Sequence, residues 1–393
     1  MPGAPVQSLS DIEKIRYSRH LRLPQIGEAG QQRLKNARVL LIGLGGLGSP
    51  AALYLVSAGV GTLGIAETDT VARHNLQRQI LFREDDIGIS KLTAGMAALH
   101  ALNPHVSLVS HPDGLTSDNA LSLFSSYDVI LDGTDNFPTR YLANDAAFFA
   151  RRPLVHGSIF QFEGQTTLFD TPKGGPCYRC LFPEMPNPAS VPTCEQAGVF
   201  GALVGVIGSL MAMETIKLIT NAGESLRGRL LMHDLLAGRV RTVRIQRNPD
   251  CPLCGQTPHI TNIGAANYVY DSCNTAISEN GLPNMENIPL EITCEEAQEW
   301  LARPVPPLLL DVREIDEVAI CKIGQARHIP MDAVPEHLKT LPTDTPIIVH
   351  CHHGGRSMRV TQFLRTKGFA KVTNLKGGID RWATACDPSM ARY

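Results

Sequence analysis

Several features typical of other protein classes are scarce or missing in this sequence. The formal net charge is only −2, so the strongly basic balance of a nucleic-acid-binding protein is absent. Residues 1–10 have neither a basic start nor an apolar stretch, unlike a secretory signal. The longest apolar run, residues 199–213, is shorter than a membrane span and contains Gly and Ser. We therefore predict a cytoplasmic protein without a nucleic-acid or membrane partner, in which residues 199–213 form a buried helix.

A disulfide framework is also not expected, although the chain has ten cysteines. A chain of 393 residues with 43% hydrophobic content can build the cores of two domains without disulfides. The cysteine spacing instead indicates metal ligands and reactive thiols in a reducing compartment.

A glycine-rich turn is the strongest local motif. Residues 39–42 form an apolar run typical of a buried strand, and Pro50 suits the first turn of the following helix. Between them the spacing is G-x-G-x-x-G, with Gly43, Gly45, Gly46 and Gly48. This turn and the helix start favour a bound phosphate, and Glu67, at the end of the next strand (62–66), is a candidate ribose acceptor. The motif predicts a nucleotide without specifying which one.

Polar residues after Glu67 extend this candidate site. Asn75, Arg78 and Gln79 lie in a polar loop, expected near the carboxyl ends of the strands, where an open parallel sheet binds its ligand. Lys91 lies in the first turn of a helix predicted for residues 90–102. A cation there opposes the helix dipole, which indicates an anionic ligand.

Asp135 allows two interpretations. It follows a predicted strand, residues 128–132, and precedes a helix. Its position alone favours a helix N-cap, and the alternative is a carboxylate ligand of Mg²⁺. Residues 153–158 are predicted to form a further strand, and residues 162–169 an antiparallel extension of the sheet.

Two C-x-x-C pairs predict a metal centre. Cys177 and Cys180 form one pair, and Cys251 and Cys254 form the other, each in a stretch rich in Gly or Pro. Four thiolates close a tetrahedral shell, so the sequence predicts structural Zn²⁺.

A lone cysteine, Cys194, lies between the two pairs in a proline-rich loop. It is either an unremarkable loop residue or a nucleophile. We predict a first domain over residues 1–255, a polar linker over 256–286, and a smaller domain over 287–393. Strands at 308–311 and 347–350 and a helix at 359–368 are expected in the smaller domain.

The smaller domain has a second candidate site. Cys351 ends a predicted strand and enters a glycine-rich loop that opens a helix, where backbone N–H groups favour a thiolate and an anion. Four residues separate Cys351 from Arg356. Cysteine-dependent phosphatases have five, so the smaller loop favours a sulfur-centred group over phosphate.

The first domain resembles the MoeB/ThiF family of sulfur-carrier adenylyltransferases, which are related to ubiquitin-activating enzymes. The resemblance rests on the glycine motif, the four paired cysteines and matching residues elsewhere: Arg16 to Arg19, Asn75, Arg78, Gln79, Lys91, Asp132 to Asn136, Thr193 and Cys194. Residues 287–393 resemble a single-domain rhodanese, with Asp311-Val312-Arg313 and the Cys351 loop. The fold expected is therefore α/β, a Rossmann-like adenylation domain followed by a smaller α/β rhodanese domain.

The resemblance implies roles for individual residues. Asp135 would coordinate Mg²⁺, and Arg78 and Lys91 would hold the phosphates of ATP. Arg19 would reach into the neighbouring subunit's site, which implies a homodimer. Glu67 would bind ribose, although the family usually has Asp at this position.

The implied reaction activates a ubiquitin-like sulfur-carrier protein. ATP adenylates the carrier's C-terminal Gly-Gly carboxylate. Cys351 carries a persulfide from a sulfur donor, thiosulfate or a desulfurase, cradled by loop amides and Arg356. Transfer of this sulfur yields the carrier thiocarboxylate, with Cys194 as a candidate to resolve an acyl disulfide. The pathway, whether for molybdopterin, thiamine, cysteine or another product, stays open.

Three other functions are weighed against this one. An NAD-dependent dehydrogenase would also use the glycine motif and Glu67, but it leaves Arg78, Lys91 and Asp135 without a role. A zinc-stabilised scaffold would have no activity at either site. A phosphatase or arsenate reductase would place different chemistry at Cys351, against the loop length.

Overall fold

The computed structural model describes residues 7–186, 198–264, 268, 288–303, 305–343 and 345–392. The chain forms two compact units, Met1–Ser272 and Cys273–Tyr393, and each is described by itself. The change of unit falls inside the predicted linker, 256–286. The described part of that segment lies on the first unit, where the Tyr268 hydroxyl donates to Asp145 Oδ2 at 3.0 Å.

Three short helices open the first unit: α1 (Asp11–Arg16), α2 (Ser18–Leu21) and α3 (Gly27–Asn36). The sequence predicts helix over residues 11–35, and the structure interrupts it at Tyr17 and at residues 22–26. Pro24 explains the longer break, because proline disfavours helical conformation in the residue before it and removes a backbone donor.

The remaining elements of the first unit alternate strand and helix and then turn to antiparallel strands. They are β1 (Arg38–Ile42), α4 (Gly48–Ala58), β2 (Thr62–Ala66), α5 (Lys91–Leu102), β3 (Ser107–His111), α6 (Ala120–Ser125), β4 (Val129–Asp132), α7 (Phe137–Phe149), β5 (Leu154–Phe160), β6 (Glu163–Phe169), α8 (Tyr178–Leu181), α9 (Gly201–Thr220), β7 (Arg229–Asp234) and β8 (Arg239–Arg244). Short 3₁₀ helices cover Arg73–Asn75, Glu84–Asp86 and Thr171–Lys173.

One eight-stranded sheet organises this unit, in the order β3-β2-β1-β4-β5-β6-β7-β8. The strands from β3 to β5 are parallel, and β6 to β8 extend the sheet antiparallel, as predicted for residues 162–169. The strand order reverses at β1, which lies between β2 and β4. Ligands of open α/β sheets bind at such a point, beyond the carboxyl ends of the strands.

Both faces of the sheet are covered by buried apolar side chains. Leu55, Leu63 and Ile207 belong to the core on one face, and Phe124 and Tyr141 to the core on the other. This two-sided burial explains the continuous apolar runs of β1 and β4, since each strand of a parallel sheet is covered on both faces.

Helix α9 extends beyond the predicted run at residues 199–213. With 20 residues and a mean hydropathy of 1.7, it is the one helix in the described chain that is long and apolar enough to cross a membrane. It packs on α4, β5 and β6, and Leu203 and Met211 are fully buried. The predicted run ended at residue 213 because the next residue, Glu214, is polar. In the structure the Glu214 carboxylate is buried and accepts a hydrogen bond from the Leu226 N–H at 2.8 Å. The predicted buried helix is therefore confirmed and longer.

The second unit has a five-stranded parallel sheet in the order β11-β10-β12-β13-β9. Its elements are β9 (Glu291–Ile292), α10 (Cys294–Leu301), β10 (Leu308–Asp311), α11 (Ile315–Ile320), β11 (Arg327–His328), a 3₁₀ helix (Met331–Thr340), β12 (Ile347–His350), α12 (Gly355–Thr366), β13 (Val372–Leu375) and α13 (Gly378–Ala385). Both predicted strands are confirmed. The predicted helix at 359–368 begins four residues earlier, because Gly354 at φ +96° turns the chain from the loop directly into α12.

Candidate active sites and metal centre

A cavity of about 460 Å³ lies beyond the carboxyl ends of β1, β2 and β4. Most of the residues predicted to bind a nucleotide line it: Gly43, Gly45, Gly46, Glu67, Asn75, Arg78, Gln79, Lys91 and Asp135. Residues far apart in sequence thus converge at the point where the strand order reverses.

The glycine turn is closed too tightly for side chains at two positions. A Cβ at residue 48 would lie 2.0 Å from the Gly43 carbonyl oxygen, and one at residue 46 would lie 2.8 Å from Val204 on α9. Gly48 does not line the cavity. Its missing side chain lets the start of α4 approach the Gly43 carbonyl, so that Gly43, Gly45 and Gly46 line the cavity. Gly43 itself has φ +82°, a conformation that favours glycine.

Glu67 is held by the glycine turn. Its Oε2 accepts the Leu44 N–H at 2.8 Å, and its Oε1 accepts the N–H groups of Thr68 and Asp69 at 2.8 and 2.9 Å. The longer glutamate side chain thus spans from the end of β2 to the turn. Oε2 keeps acceptor capacity for a ribose hydroxyl, since a carboxylate oxygen has two lone pairs.

The two cationic residues predicted to bind phosphate, Arg78 and Lys91, both line the cavity. Lys91 is only 5% exposed, and its Nζ lies 2.9 Å from Asp69 Oδ2. Arg78 is half-buried, and its Nη1 donates to the His74 carbonyl at 3.0 Å. The sequence interpretation missed Asp69, whose signal is a carboxylate at the start of the same polar loop.

Two amide side chains complete the wall. Asn75 Oδ1 accepts the Ala72 N–H at 3.1 Å, which fixes the loop. Gln79 Oε1 is buried and has no hydrogen-bond partner in the described residues. A buried acceptor left without a donor is costly, so a donor group of a bound nucleotide would fit beside the glycine turn.

Asp135 is not the N-cap of α7. Asn136 is, and its side chain accepts the Thr139 N–H at 2.9 Å. The cap interpretation of Asp135 is therefore wrong by one residue. Asp135 is exposed, lines the cavity and has no hydrogen-bond partner among the residues the structure describes. Its carboxylate oxygens are of the kind that Mg²⁺ prefers.

The buried carboxylate of Asp132, at the end of β4, holds Thr134 of the cavity wall in place. Asp132 Oδ2 lies 2.9 Å from His156 Nδ1, and Oδ1 accepts the Thr134 hydroxyl at 2.6 Å. Burial raises the pKa of the Asp132 carboxyl, but the His156 hydrogen bond and the charges of His156 and Arg140 outweigh it and lower that pKa below its usual value. This network, which sequence reasoning missed, orients Thr134 in the cavity.

A second cavity of about 640 Å³ lies beside the first and shares α7 and β5 with it. Asn136, the N-cap of α7, and Thr139 line the nucleotide cavity, whereas Phe137 and Arg140 line this second one. Five of its fifteen lining residues are Phe or Tyr, among them Tyr178.

The four paired cysteines converge as predicted. Cys177 Sγ lies 3.8 Å from Cys180 Sγ and 3.5 Å from Cys251 Sγ, and Cys180 Sγ lies 3.4 Å from Cys254 Sγ. Four sulfurs about 2.3 Å from a central Zn²⁺ would be about 3.8 Å apart, so the cluster can hold a tetrahedral metal.

In the second unit, the loop after β12 surrounds Cys351. This residue is 1% exposed, and its Sγ accepts the Gly354 N–H at 3.2 Å and the Ser357 hydroxyl at 3.3 Å. Gly378, at the start of α13, packs against the loop, where a Cβ would lie 2.4 Å from the Cys351 carbonyl oxygen. The predicted glycine-rich loop therefore surrounds the thiol, and one backbone N–H and one hydroxyl donate to its sulfur.

The comparisons with known proteins match both units. The ThiF family model matches residues 17–253, and the Rhodanese-like domain model matches residues 293–385. This chain belongs to the ThiF family. We call its first unit the ThiF unit and its second the rhodanese unit.

Curated relatives match over the full length. A probable adenylyltransferase/sulfurtransferase, MoeZ of Mycobacterium tuberculosis, is 42% identical over 394 residues, covering 99% of this chain and 97% of that protein. The adenylyltransferase and sulfurtransferase MOCS3-2 of Zea mays is 38% identical, covering 99% and 83%. MOCS3 of Aedes aegypti is also 38% identical, covering 99% and 91%. The chain is accordingly an adenylyltransferase and a sulfurtransferase.

Solved structures share the fold of the ThiF unit. A crystal structure of E. coli MccB with ATP matches with a TM-score of 0.55 and 23% identity, covering 61% of this chain and 74% of that one. A structure of PaaA matches with a TM-score of 0.53 and 21% identity, covering 62% and 76%. These likenesses show the fold.

For three predicted site residues, the expected role stays a prediction. Arg19 of the ThiF unit is exposed and does not line the nucleotide cavity of its own chain. Cys194 lies outside the described residues. Arg356 of the rhodanese unit pairs with Glu317, a residue that sequence reasoning missed and whose only signal is an acid on the helix after β10.

Proposed function

We propose that this enzyme adenylates the C-terminal Gly-Gly carboxylate of a ubiquitin-like sulfur carrier and then converts it to a thiocarboxylate. The convergence of Arg78, Lys91 and Asp135 on the glycine-turn cavity, in a chain that also has the Cys351 loop, carries this proposal. The sulfur-transfer pathway to which the carrier belongs, such as molybdenum cofactor biosynthesis, depends on contacts with the carrier surface.

The nucleotide cavity suits ATP. The amides of the glycine turn favour phosphate, and Gln79 Oε1 offers an acceptor to a nucleotide hydroxyl or amine. Glu67 Oε2 would accept a hydrogen bond from a ribose hydroxyl. Asp135 would hold Mg²⁺, which supplies charge neutralisation at the phosphates when bound.

Arg78 and Lys91 would stabilise the charge that develops during adenylation. A carrier carboxylate oxygen attacks the α-phosphorus of ATP, the bond to the bridging oxygen breaks, and pyrophosphate leaves. The product is an acyl-adenylate, in which AMP is a good leaving group. Preorganised cations are the main source of rate enhancement in such a step. Lys91 is held by Asp69 before substrate binds.

The second cavity, beside α7, is our candidate path for the carrier tail. An extended Gly-Gly tail must reach the α-phosphate from a side that ATP does not fill. Arg140 lines this cavity and also donates to the Thr134 carbonyl at 3.0 Å, which links the two cavities through one side chain.

Sulfur enters at Cys351. Its thiolate attacks the outer sulfur of a donor, thiosulfate or a cysteine persulfide, and sulfite or a thiolate leaves. The Gly354 N–H and the Ser357 hydroxyl, which donate to Cys351 Sγ, would stabilise the attacking thiolate. The persulfide then attacks the carbonyl carbon of the acyl-adenylate. AMP departs, and the carrier is joined to Cys351 by an acyl disulfide.

Cys194 is our candidate to resolve that acyl disulfide. Its thiolate would attack the Cys351 sulfur, releasing carrier thiocarboxylate and forming a Cys194–Cys351 disulfide that a cellular dithiol reduces. The reducing cytoplasm, where we place the enzyme, provides such dithiols.

We propose Zn²⁺ for the four-cysteine cluster and a homodimer for the assembly. A closed thiolate shell has no position for substrate, so this Zn²⁺ would be structural. In the dimer, Arg19 would complete the partner's nucleotide site. Ile12 and Ile15, on the preceding helix α1, are 66% and 75% exposed and provide apolar surface for the contact.

The other functions fit the site less well. A dehydrogenase leaves Lys91, Arg78 and Asp135 unexplained, and thermal stabilisation by NAD in preference to ATP would favour it. A scaffold would release no pyrophosphate when a carrier is added. Phosphatase activity that is lost in Cys351→Ser would favour the phosphatase.

One experiment tests the proposal directly. Each small Gly-Gly-ending protein from the source is incubated with the enzyme, Mg-ATP and thiosulfate, and its intact mass is measured. We expect one carrier to gain the mass of an oxygen-to-sulfur exchange. Unchanged masses with no consumption of ATP would contradict the proposal, and a mass gain in Cys351→Ala would exclude Cys351.

A further inference from the structure

The guanidinium of Arg356 is already engaged in the rhodanese unit. Its Nη1 lies 2.5 Å from Glu317 Oε2, and its Nη2 lies 2.5 Å from Glu317 Oε1. The two side chains are only 17% and 16% exposed. A two-point, charge-assisted pair of this kind is stronger than an ordinary surface ion pair.

Glu317 is itself held by a rigid frame. Its Oε2 also accepts the Glu314 N–H at 2.9 Å, and its backbone carbonyl accepts Arg313 Nη1 at 3.2 Å. Arg313 is completely buried and pairs with Asp311, at the end of β10, at 2.6 Å. The carboxylate therefore has a fixed position next to the Cys351 loop and is not a mobile surface acid.

The Glu317 carboxylate reduces the positive charge that Arg356 offers to a sulfur donor. Arg356 is the cation expected to attract an anionic donor, and a carboxylate with both oxygens on it offsets that charge. The Gly354 N–H still serves the sulfur of Cys351. A small dianion such as thiosulfate needs the cation more than a persulfide with less negative charge does.

We propose that Glu317 is a specificity-determining residue that acts through Arg356 and weakens the binding of small dianionic donors at the Cys351 site. This inference rests on Cys351 as the sulfur acceptor. The chemical step is the same for each donor, attack of the Cys351 thiolate on the outer sulfur. The donors differ in the charge of the leaving group, which is sulfite from thiosulfate and a thiolate from a persulfide.

Steady-state kinetics of Glu317→Gln in the full-length enzyme test this role. The change removes the charge and keeps the shape, so we expect the KM for thiosulfate to fall about fivefold with kcat unchanged. The KM for cysteine persulfide should change less. Asp316→Asn, an exposed acid on the same helix, is the matched control and should leave both KM values as in the wild type. Glu317→Asp keeps the charge and should retain a KM near that of the wild type.

A double variant tests whether the effect passes through Arg356. In an Arg356→Ala background, Glu317→Gln should no longer change the KM for thiosulfate. A KM that stays constant or rises in the single variant would overturn the proposal, as would an equal fall for both donors. If the wild type shows no sulfur transfer that depends on Cys351, the proposed function fails instead. Fluorescence of Trp300 and Trp382, both in this unit, verifies folding of each variant.

Discussion

At the scale of single residues, Asp135 has the most specific expected role. Glu67 and Asp69 already accept hydrogen bonds or pair with Lys91, whereas the Asp135 carboxylate has no partner among the described residues. We expect Asp135→Ala to lower carrier-dependent pyrophosphate release by about a hundredfold or more, because charge neutralisation at the phosphates is lost. Thiosulfate sulfurtransferase activity should stay intact, since it belongs to the other unit.

Two variants are the controls for Asp135. Asp118→Ala removes an exposed acid that does not line the cavity and should keep both activities. Cys351→Ala should have the opposite effect, an enzyme that adenylates but needs added sulfide to form thiocarboxylate. Normal adenylation in Asp135→Ala would remove this residue from the metal site.

Which residues converge on the nucleotide cavity and in the cysteine cluster could be predicted from the sequence, but the hydrogen-bond partners of the site residues could not. The glycine spacing and the paired cysteines are local patterns, so they identified both sites directly. The pairs Lys91–Asp69 and Arg356–Glu317 join residues 22 and 39 positions apart. Such pairs depend on how separate elements pack, which no local spacing encodes. The N-cap was misplaced from Asn136 to Asp135 because both side chains can cap a helix.

At the scale of elements, β12 makes the rhodanese unit sensitive to acid. His350 ends this strand, is fully buried, and has a pKa lowered by burial to about 4 from an ordinary 6.5. The unfolded chain therefore binds a proton between pH 6.5 and 4 that the folded unit does not. We expect the free energy of unfolding to be highest above pH 6.5 and to fall by about 3 kcal/mol as the pH drops to 4.

Tryptophan fluorescence measures this directly. The chain has two tryptophans, Trp300 and Trp382, and both lie in the core of the rhodanese unit, so urea titrations of the full chain report on that unit. His350→Asn should flatten the dependence on pH, even if it lowers stability throughout. His337→Asn, which changes an exposed histidine, should keep the wild-type slope. An equally steep slope in His350→Asn would assign the sensitivity to other groups.

The ends of elements were harder to predict than their existence. The two strands predicted in the rhodanese unit, β10 and β12, matched their apolar runs, because a buried parallel strand has a continuous apolar run. Helix α12 begins at Gly355, inside the loop, since the backbone conformation of Gly354 starts the helix before any periodic pattern appears. Helix α9 continues past residue 213 because tertiary contacts satisfy Glu214.

At the scale of the whole molecule, mixing two variants tests the proposed dimer. Arg19→Ala and Asp135→Ala should each be inactive in adenylation. If Arg19 acts in the partner's site, a mixed dimer combines one intact site with one doubly altered site. An equal mixture after subunit exchange should then recover about a quarter of wild-type pyrophosphate release. No recovery, with mixed dimers verified by mass, would mean that Arg19 acts within its own chain or not at all.

The end of the large sheet has a consequence for the behaviour of the protein at high concentration. β8 is the last strand, and all six of its residues are exposed, with Val240 and Val243 among them. An open strand with valines would invite pairing with another copy and growth into aggregates. Arg239, Arg241 and Arg244 lie on the same strand, so a second β8 would bring like charges together. Pairing between two copies at this edge is thus opposed by electrostatic repulsion, which weakens as salt is added.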